Sequence, residues 1–151
     1  SPLHRGLSPR EDQMIAKDVM TPKPVTATVR ATVAEVLDVM RELEIRHVPV
    51  VDRGVLVGMV SDRDLARVDV AQVLALQGAE GLSQELATPI TRIMSTDVIS
   101  VEPDTEVTDV VGLLIEHRVG ALPVVQPDTR TVVGIISYID VLRALQDQFE
   151  R

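Results

Sequence analysis

Two copies of a Gly-x-x-Ser-x-x-Asp sequence, at positions 58–64 and 134–140, carry the clearest chemistry of the chain. Each copy follows a β-rich run and precedes a helical pattern, so Ser61 and Ser137 stand where a serine can cap a helix. The aspartate three residues later stays within reach of the same helix end. Free N–H groups and a partial positive charge at a helix N-terminus attract anions such as phosphate. The sequence therefore marks one kind of junction twice as a candidate anion-binding element.

The same pattern is also a helix capping box, which can stabilise a helix without any ligand, and the two interpretations are compatible. Asp62 and Asp64 are too few ligands to define a metal site. The three histidines, His4, His47 and His117, lack zinc spacing and form no Ser-His-Asp grouping. The chain has no P-loop and no dinucleotide glycine motif. We therefore predict no catalytic residue, no metal ligand and no enzyme.

Composition excludes several classes of protein. The formal net charge of −8 argues against a general nucleic-acid surface, which needs clustered lysine and arginine. No apolar run reaches the roughly 18 residues of a membrane span, and no signal-peptide pattern is visible. The chain lacks cysteine, which is compatible with the cytoplasm that we expect. The only aromatic residues are Tyr138 and Phe149, so the core must be aliphatic.

An internal repeat organises the chain. Matching residues lie 74 positions apart in the first part of the repeat, as in the pairs Met20 and Met94, Val33 and Val107, and Pro49 and Pro123. In the last part they lie 76 positions apart, as in Gly58 and Gly134. The two extra residues fall in a turn, at 52–54 in the first copy and 126–130 in the second. We predict a flexible tail at 1–14, a first repeat at 15–76, a linker at 77–89 and a second repeat at 90–151.

Each repeat has the pattern β-α-β-β-α. Predicted segments are short strands at 25–27 and 99–101, helices beginning after the possible N-caps Thr32 and Thr105, hairpins at 47–60 and 122–136, and second helices at 62–76 and 138–149. Glu35 completes a capping box only with Thr32. The sequence therefore predicts an α+β (mixed α/β) fold, with two repeats packed sheet to sheet in pseudo-twofold symmetry.

From about Ile15 to Gln146 the chain resembles a tandem pair of cystathionine-β-synthase (CBS) domains, a Bateman module. The resemblance rests on the segments at 18–22, 46–52 and 121–125, together with both Gly-x-x-Ser-x-x-Asp runs, in order and duplicated. It implies a regulatory module for adenosine-containing molecules such as AMP, ADP, ATP or S-adenosylmethionine. In such modules the aspartate accepts hydrogen bonds from the ribose, the serine approaches the phosphate and aliphatic side chains sandwich the adenine.

The resemblance also implies that each site joins the start of one repeat to the Ser-x-x-Asp of the other. Site A would contain Met20, Thr21, Val25, Ile45, Ile135, Ser137 and Asp140. Site B would contain Met94, Ser95, Ile99, Val119, Met59, Ser61 and Asp64. The two residues before the Val-Pro-Val strand often hold phosphate in this family. They are the potentially cationic Arg46 and His47 in the first repeat but Gly120 and Ala121 in the second, so we expect site B to prefer phosphorylated ligands.

We therefore expect a sensor without enzyme activity, for which an adenine nucleotide is a regulatory ligand and no cofactor is required. A homodimer is expected, with apolar residues at 71–76 and 141–145 as its surface unless they belong to the core. A protein partner or an attached effector domain would receive the signal. Two alternatives remain: a dimerisation scaffold that binds no ligand, and a regulatory fragment of a larger enzyme or transporter.

Overall fold

The computed structural model describes residues 14–150, so nearly all of the predicted tail lies outside it. The helices within this range are α1 (Ala16–Val19), α2 (Val33–Leu43), α3 (Asp62–Ala66), α4 (Val70–Leu86), α5 (Val107–His117) and α6 (Tyr138–Phe149), with a 3-10 turn at Ile90–Arg92. The strands are β1 (Thr21–Pro22), β2 (Ala27–Thr28), β3 (His47–Asp52), β4 (Val55–Ser61), β5 (Ala121–Val125) and β6 (Val132–Ser137). The predicted mixed α/β class is confirmed.

The chain forms two compact units that do not follow the repeats. Within the described residues, the first unit contains 14–24 and 99–150, and the second contains 25–98. The sheet of the first unit has the strand order β1-β6-β5, and that of the second has the order β2-β3-β4. Strand β1 therefore comes from the first repeat but pairs with a strand of the second repeat. The limits predicted for repeats and linker stay predictions.

The core of the second unit lies between α2 and one face of its sheet. Val33, Val36 and Met40 lie three and four residues apart, as one face of a helix requires, and form the buried stripe of α2. They pack into a cluster with Val48 and Val60. Fully burying such an aliphatic side chain stabilises the fold by roughly 1.5–3 kcal/mol. The predicted capping box at the start of α2 is present.

The first unit repeats this arrangement. Val107, Val110 and Leu114 of α5 pack with Leu122 and Ile136 of the β5–β6 hairpin. Val141 of α6 and Ala16 of α1 are buried in the same cluster. Both cores are therefore aliphatic, as composition predicts.

Both predicted hairpins are present, and the shorter turn has a clear local cause. Asp52 pairs with Val55, which leaves Arg53 and Gly54 as a two-residue loop. Their φ angles of 53° and 84° are both positive, as a type I′ turn requires. Such a turn matches the twist of the adjoining strands and fixes the register of β3 against β4.

Several local predictions are wrong. The helix expected at 62–76 is two helices, because Asp69 accepts a hydrogen bond from the Gln72 N–H and begins α4. Helix α4 then continues to Leu86, and only Gly78, at φ 74°, interrupts its geometry. The N-cap of α5 is Glu106, since the Thr105 hydroxyl accepts from the Glu102 N–H instead.

The two short strands also differ from the prediction. In the first repeat the strand is β2, at 27–28 rather than 25–27, and it runs parallel to β3. In the second repeat the expected strand at 99–101 is reduced to one parallel bridge between Val101 and Val124. Segments this short carry little periodicity, so their limits depend on the strand that they pair with.

Candidate functional site

Ser61 and Asp64 form a reciprocal cap at the point where β4 passes into α3. The Ser61 N–H donates to Asp64 Oδ2 at 2.9 Å, and the Asp64 N–H donates to Ser61 Oγ at 3.2 Å. Both side chains are half-buried. No protein donor of the described residues bonds to the other carboxylate oxygen, Oδ1. The capping interpretation of this motif is therefore correct, and it leaves one carboxylate oxygen able to accept hydrogen bonds from a ligand.

Ser137 and Asp140 form the matching cap between β6 and α6. The Ser137 N–H donates to Asp140 Oδ2 at 2.9 Å, and the Asp140 N–H donates to Ser137 Oγ at 3.2 Å. Here the serine hydroxyl also donates to Asp140 Oδ2, at 3.0 Å. Among the hydrogen bonds of residues 14–150, the Ser61 hydroxyl only accepts. The two caps thus differ in whether the hydroxyl hydrogen is already used.

The first unit places the start of the first repeat beside the cap of the second. Thr21 pairs with Ile135 and Pro22 with Gly134 across the β1–β6 ladder. Met20 lies directly over Gly134, where a Cβ would stand 3.1 Å from the Met20 Cγ and closer still to its sulfur. Met20, Thr21, Ile135, Ser137 and Asp140, five of the residues predicted for site A, therefore lie in one compact unit.

The second unit contains the matching arrangement. Met59 and Ser95 exchange two backbone hydrogen bonds, of 3.0 and 2.9 Å. Met94 lies over Gly58, where a Cβ would stand 2.9 Å from the Met94 Cγ and 3.0 Å from the Ser95 carbonyl oxygen. Five residues predicted for site B, Met59, Ser61, Asp64, Met94 and Ser95, therefore share this unit.

The glycines of the motif are thus part of the site's architecture, a role that our sequence analysis did not assign to them. A glycine inside a strand often marks the close approach of another chain segment, and that signal was available in the sequence. In both units the approaching group is the methionine that precedes β1 or its equivalent in the second repeat.

Arg46 and His47 lie next to the Ser61 cap. His47 pairs with Ser61 across β3 and β4, and the Arg46 carbonyl accepts from the Asp62 N–H at 2.9 Å. Arg46 is exposed and lines an open groove of about 780 Å³ that Asp62 also lines. In this unit a phosphate near the cap would therefore have cationic or ionisable side chains close by.

The equivalent positions in the first unit carry no charge. Ala121 pairs with Ser137, and the Gly120 carbonyl accepts from the Tyr138 N–H at 3.1 Å. The backbone geometry is thus the same in both units, and the side chains distinguish them.

His47 is half-buried, and this changes its ionisation. Burial lowers the pKa of its imidazole below the ordinary value of 6.5. The Asp62 and Asp64 carboxylates act to raise that pKa and the Arg46 guanidinium to lower it, but desolvation is the largest effect. The neutral imidazole is therefore favoured at neutral pH, so the positive charge near this cap comes from Arg46 rather than from both residues.

Four predicted site residues lie in the other compact unit from the rest of their site. Val25 and Ile45 belong to the second unit, whereas the other site A residues belong to the first. Ile99 and Val119 belong to the first unit, whereas the other site B residues belong to the second. Their places in the two sites stay predictions.

Two negative findings concern residues 14–150 alone. No group of three or more histidine, aspartate or glutamate side chains within this range could hold a metal ion. No helix within it is long and apolar enough to cross a membrane.

Comparison with known proteins supports the resemblance to CBS domains. The family model described as "CBS domain" matches twice, at residues 16–71 and 90–147. The CBS domain-containing protein YhcV of Bacillus subtilis is 34% identical over 125 residues, which cover 83% of this chain and 81% of YhcV. The chain spans only about a quarter of three longer curated relatives, between 23% and 27% of their lengths.

Solved structures with the same fold include complexes with adenosine compounds. The CBS domain pair of protein MJ0100, in complex with 5′-methylthioadenosine and S-adenosyl-L-methionine, has a TM-score of 0.72 and 28% identity, and the match covers 90% of this chain and 98% of that one. CBSX2 in complex with AMP has a TM-score of 0.74 and 28% identity, with 91% and 98% covered. The two family matches together span more than half of the sequence. The chain therefore belongs to the CBS domain family and contains two CBS domains in tandem.

Proposed function

We propose that this chain is a regulatory sensor without enzyme activity, and that it binds an adenosine-containing molecule of the AMP, ADP, ATP or S-adenosylmethionine class. One observation carries the proposal. Each compact unit combines the Ser-x-x-Asp cap of one repeat with the Met-Thr or Met-Ser start of the other. The complexes of MJ0100 and CBSX2 with adenosine compounds support this choice of ligand.

The free carboxylate oxygen in each cap suits a ribose. Asp64 and Asp140 both use Oδ2 for the cap hydrogen bond, so Oδ1 can accept from the two adjacent ribose hydroxyls. Both carboxylates are half-buried, which shields such hydrogen bonds partly from water. Ile135, which is only half-buried, offers apolar surface for the adenine in the first unit. A protein with two aromatic residues depends on such side chains.

We further propose that the second unit prefers phosphorylated ligands. Its Ser61 hydroxyl is free to donate a hydrogen bond, whereas the Ser137 hydroxyl already donates to Asp140. Arg46 and His47 stand beside Ser61, and the uncharged Gly120 and Ala121 stand beside Ser137. The first unit would then bind a nucleoside-like ligand, or bind more weakly.

Calorimetric titration of nucleotide-free protein with AMP, ADP, ATP, S-adenosylmethionine, NAD and adenosine tests this proposal. Asp64→Asn and Asp140→Asn are the informative variants, because an asparagine carbonyl can keep the cap while its NH₂ group cannot accept from ribose. We expect Asp64→Asn to lower the affinity for AMP at least tenfold and Asp140→Asn to leave that affinity unchanged.

The chain also offers a matched control. Glu35→Gln changes a third capping box, where the Thr32 N–H donates to Glu35 Oε1 at 3.4 Å, and this box belongs to neither predicted site. Equal weakening by Glu35→Gln would show that ligand binding responds to stability alone. Failure of every compound to bind would favour the scaffold alternative.

Ligand binding could act through a homodimer, a protein partner or an attached effector domain, in a cytoplasmic setting. One observation supports the homodimer: helix α6 exposes Leu142, Leu145 and Phe149 on one side, the last at 87% exposure. Helix α4 has no buried residue, so the apolar residues at 71–76 are not core. Val141 is buried, so that residue of the predicted surface is core.

Light scattering at several protein concentrations tests the dimer. We expect Leu142→Ser with Leu145→Ser to shift the protein toward monomer. Ile115→Ser is the control, since Ile115 is 72% exposed on α5. A monomeric wild-type protein would refute the dimer, and an unchanged dimer in the double variant would refute this surface.

A further inference from the structure

The position of His47 relates it directly to the Ser61 cap. Val48, Val50 and Val60 face the aliphatic core of the second unit. Because side chains alternate along a strand, His47 lies on the opposite face of the sheet. Its cross-strand partner is Ser61, and side chains of directly opposed residues on one face are neighbours. The imidazole therefore lies beside the proposed position of a ligand phosphate.

The charged groups that act on His47 are few and of both signs. Arg46 precedes it in the chain, and Asp62 and Asp64 belong to α3, which follows β4. The two carboxylates and the guanidinium oppose one another, and burial outweighs them. Without a ligand, His47 therefore favours its neutral form. A phosphate beside the imidazole would add negative charge and favour the protonated form.

We propose that His47 makes the choice of ligand in the second unit depend on pH, because a phosphorylated adenosine ligand binds together with a proton and an uncharged adenosine does not. This inference rests on the proposed function and adds the residue that discriminates between the two ligand types. The proton comes from solvent and is held on the imidazole, and no covalent bond changes.

The sign of the effect follows from linkage. The pKa of His47 is lower in the free protein than in the phosphate complex, so binding takes up a proton at any pH between the two values. Affinity for the phosphorylated ligand therefore rises as pH falls, by at most about tenfold per pH unit for one proton. The first unit has Ala121 at the equivalent place, so its ligand affinity lacks this contribution.

The experiment is calorimetric titration of the whole chain with AMP and with adenosine between about pH 6.5 and 8, in two buffers with different ionisation enthalpies. This range lies above the second phosphate pKa near 6, so AMP remains mostly a dianion. We expect AMP to bind more tightly at the lower pH and with net proton uptake. We expect adenosine to show neither effect, and AMP binding to His47→Gln to lose both.

A second measurement guards against a variant that folds poorly. NMR titration of the wild-type imidazole, with and without AMP, should show a higher pKa in the complex. The same pH profile in the wild type and a folded His47→Gln variant, or an unchanged imidazole pKa, would overturn the inference while AMP binding still supported the proposed function. Absence of binding by either compound at every pH would overturn both.

Discussion

Substitution of Gly134 by alanine tests the close approach of the two repeats within the first unit. Gly134 is buried on β6, and the three atoms nearest to a Cβ there would all belong to the Met20 side chain. The Cγ would be 3.1 Å away and the Cε 3.2 Å away, with the sulfur closer than either. Carbon atoms pack best at about 3.5–4.0 Å. Met20 must therefore leave its position above the strand.

The expected magnitude follows from this geometry. Adding a methyl group to a well-packed site typically destabilises a protein by about 1–3 kcal/mol. In a chain of this size each kcal/mol corresponds to a fall of roughly 2–4 °C in Tm. We expect Gly134→Ala to lower the free energy of unfolding by about 1–3 kcal/mol, as measured by urea denaturation and calorimetry.

Gly112 provides a matched control with the opposite expected sign. It lies on the exposed side of α5, and a Cβ there would meet nothing within 4 Å. Alanine is favoured over glycine inside a helix by roughly 0.5–1 kcal/mol. Gly112→Ala should therefore stabilise the protein, while the same substitution at Gly134 destabilises it.

A double-mutant cycle with Met20→Ala isolates the contact. Removing the Met20 side chain should cancel most of the Gly134→Ala penalty, with a coupling energy of about 1–3 kcal/mol. At Gly58 the rescue by Met94→Ala should be only partial, because the Ser95 carbonyl oxygen would still lie 3.0 Å from the new Cβ. Stabilisation by Gly134→Ala, or a penalty that Met20→Ala leaves unchanged, would refute this reasoning.

Three further predictions concern stability. Because burial lowers the pKa of His47, the unfolded chain binds more protons near and below pH 6.5, so the free energy of unfolding should decrease as pH falls through that region. His47→Gln should flatten this slope in urea denaturation at pH 5–8, and an unchanged slope would contradict the assignment. Thr32→Ala removes the cap of α2 and should cost about 1 kcal/mol, read as a lower midpoint of denaturation. Gly78→Ala forces alanine to φ 74° and should cost about 1–3 kcal/mol by the same assay, and a neutral result would show that α4 avoids this kink.

Short-range patterns were sufficient to predict many elements. Helix α6 runs from Tyr138 to Phe149 as predicted, because Ser137 and Asp140 cap it and no breaker interrupts its pattern. The buried stripe of α2 follows directly from helical spacing. The capping box at the start of the same helix follows from the pair Thr32 and Glu35. The prediction of one helix at 62–76 was wrong because its apolar pattern continues through Asp69, whose capping role is equally consistent with a solvent-exposed position inside a helix.

In the candidate site, too, the sequence was sufficient to predict some features and not others. The sequence alone identified Ser61, Asp64, Ser137 and Asp140 by type and spacing, and the structure gives them the capping geometry that this spacing favours. The resemblance to CBS domains supplied the expectation that each site draws on both repeats. It did not indicate why the motif begins with glycine.

Only the tertiary structure decided which distant segments meet. Strand β1 has two residues, too few for any periodicity, and it pairs with a strand more than a hundred positions away. That pairing brings Met20 onto Gly134, and the equivalent approach brings Met94 onto Gly58. The ionisation of His47 likewise depends on burial and on charges from a neighbouring helix. Local sequence specifies backbone conformation and helix ends, whereas desolvation and close packing arise from residues that become neighbours only when the chain folds.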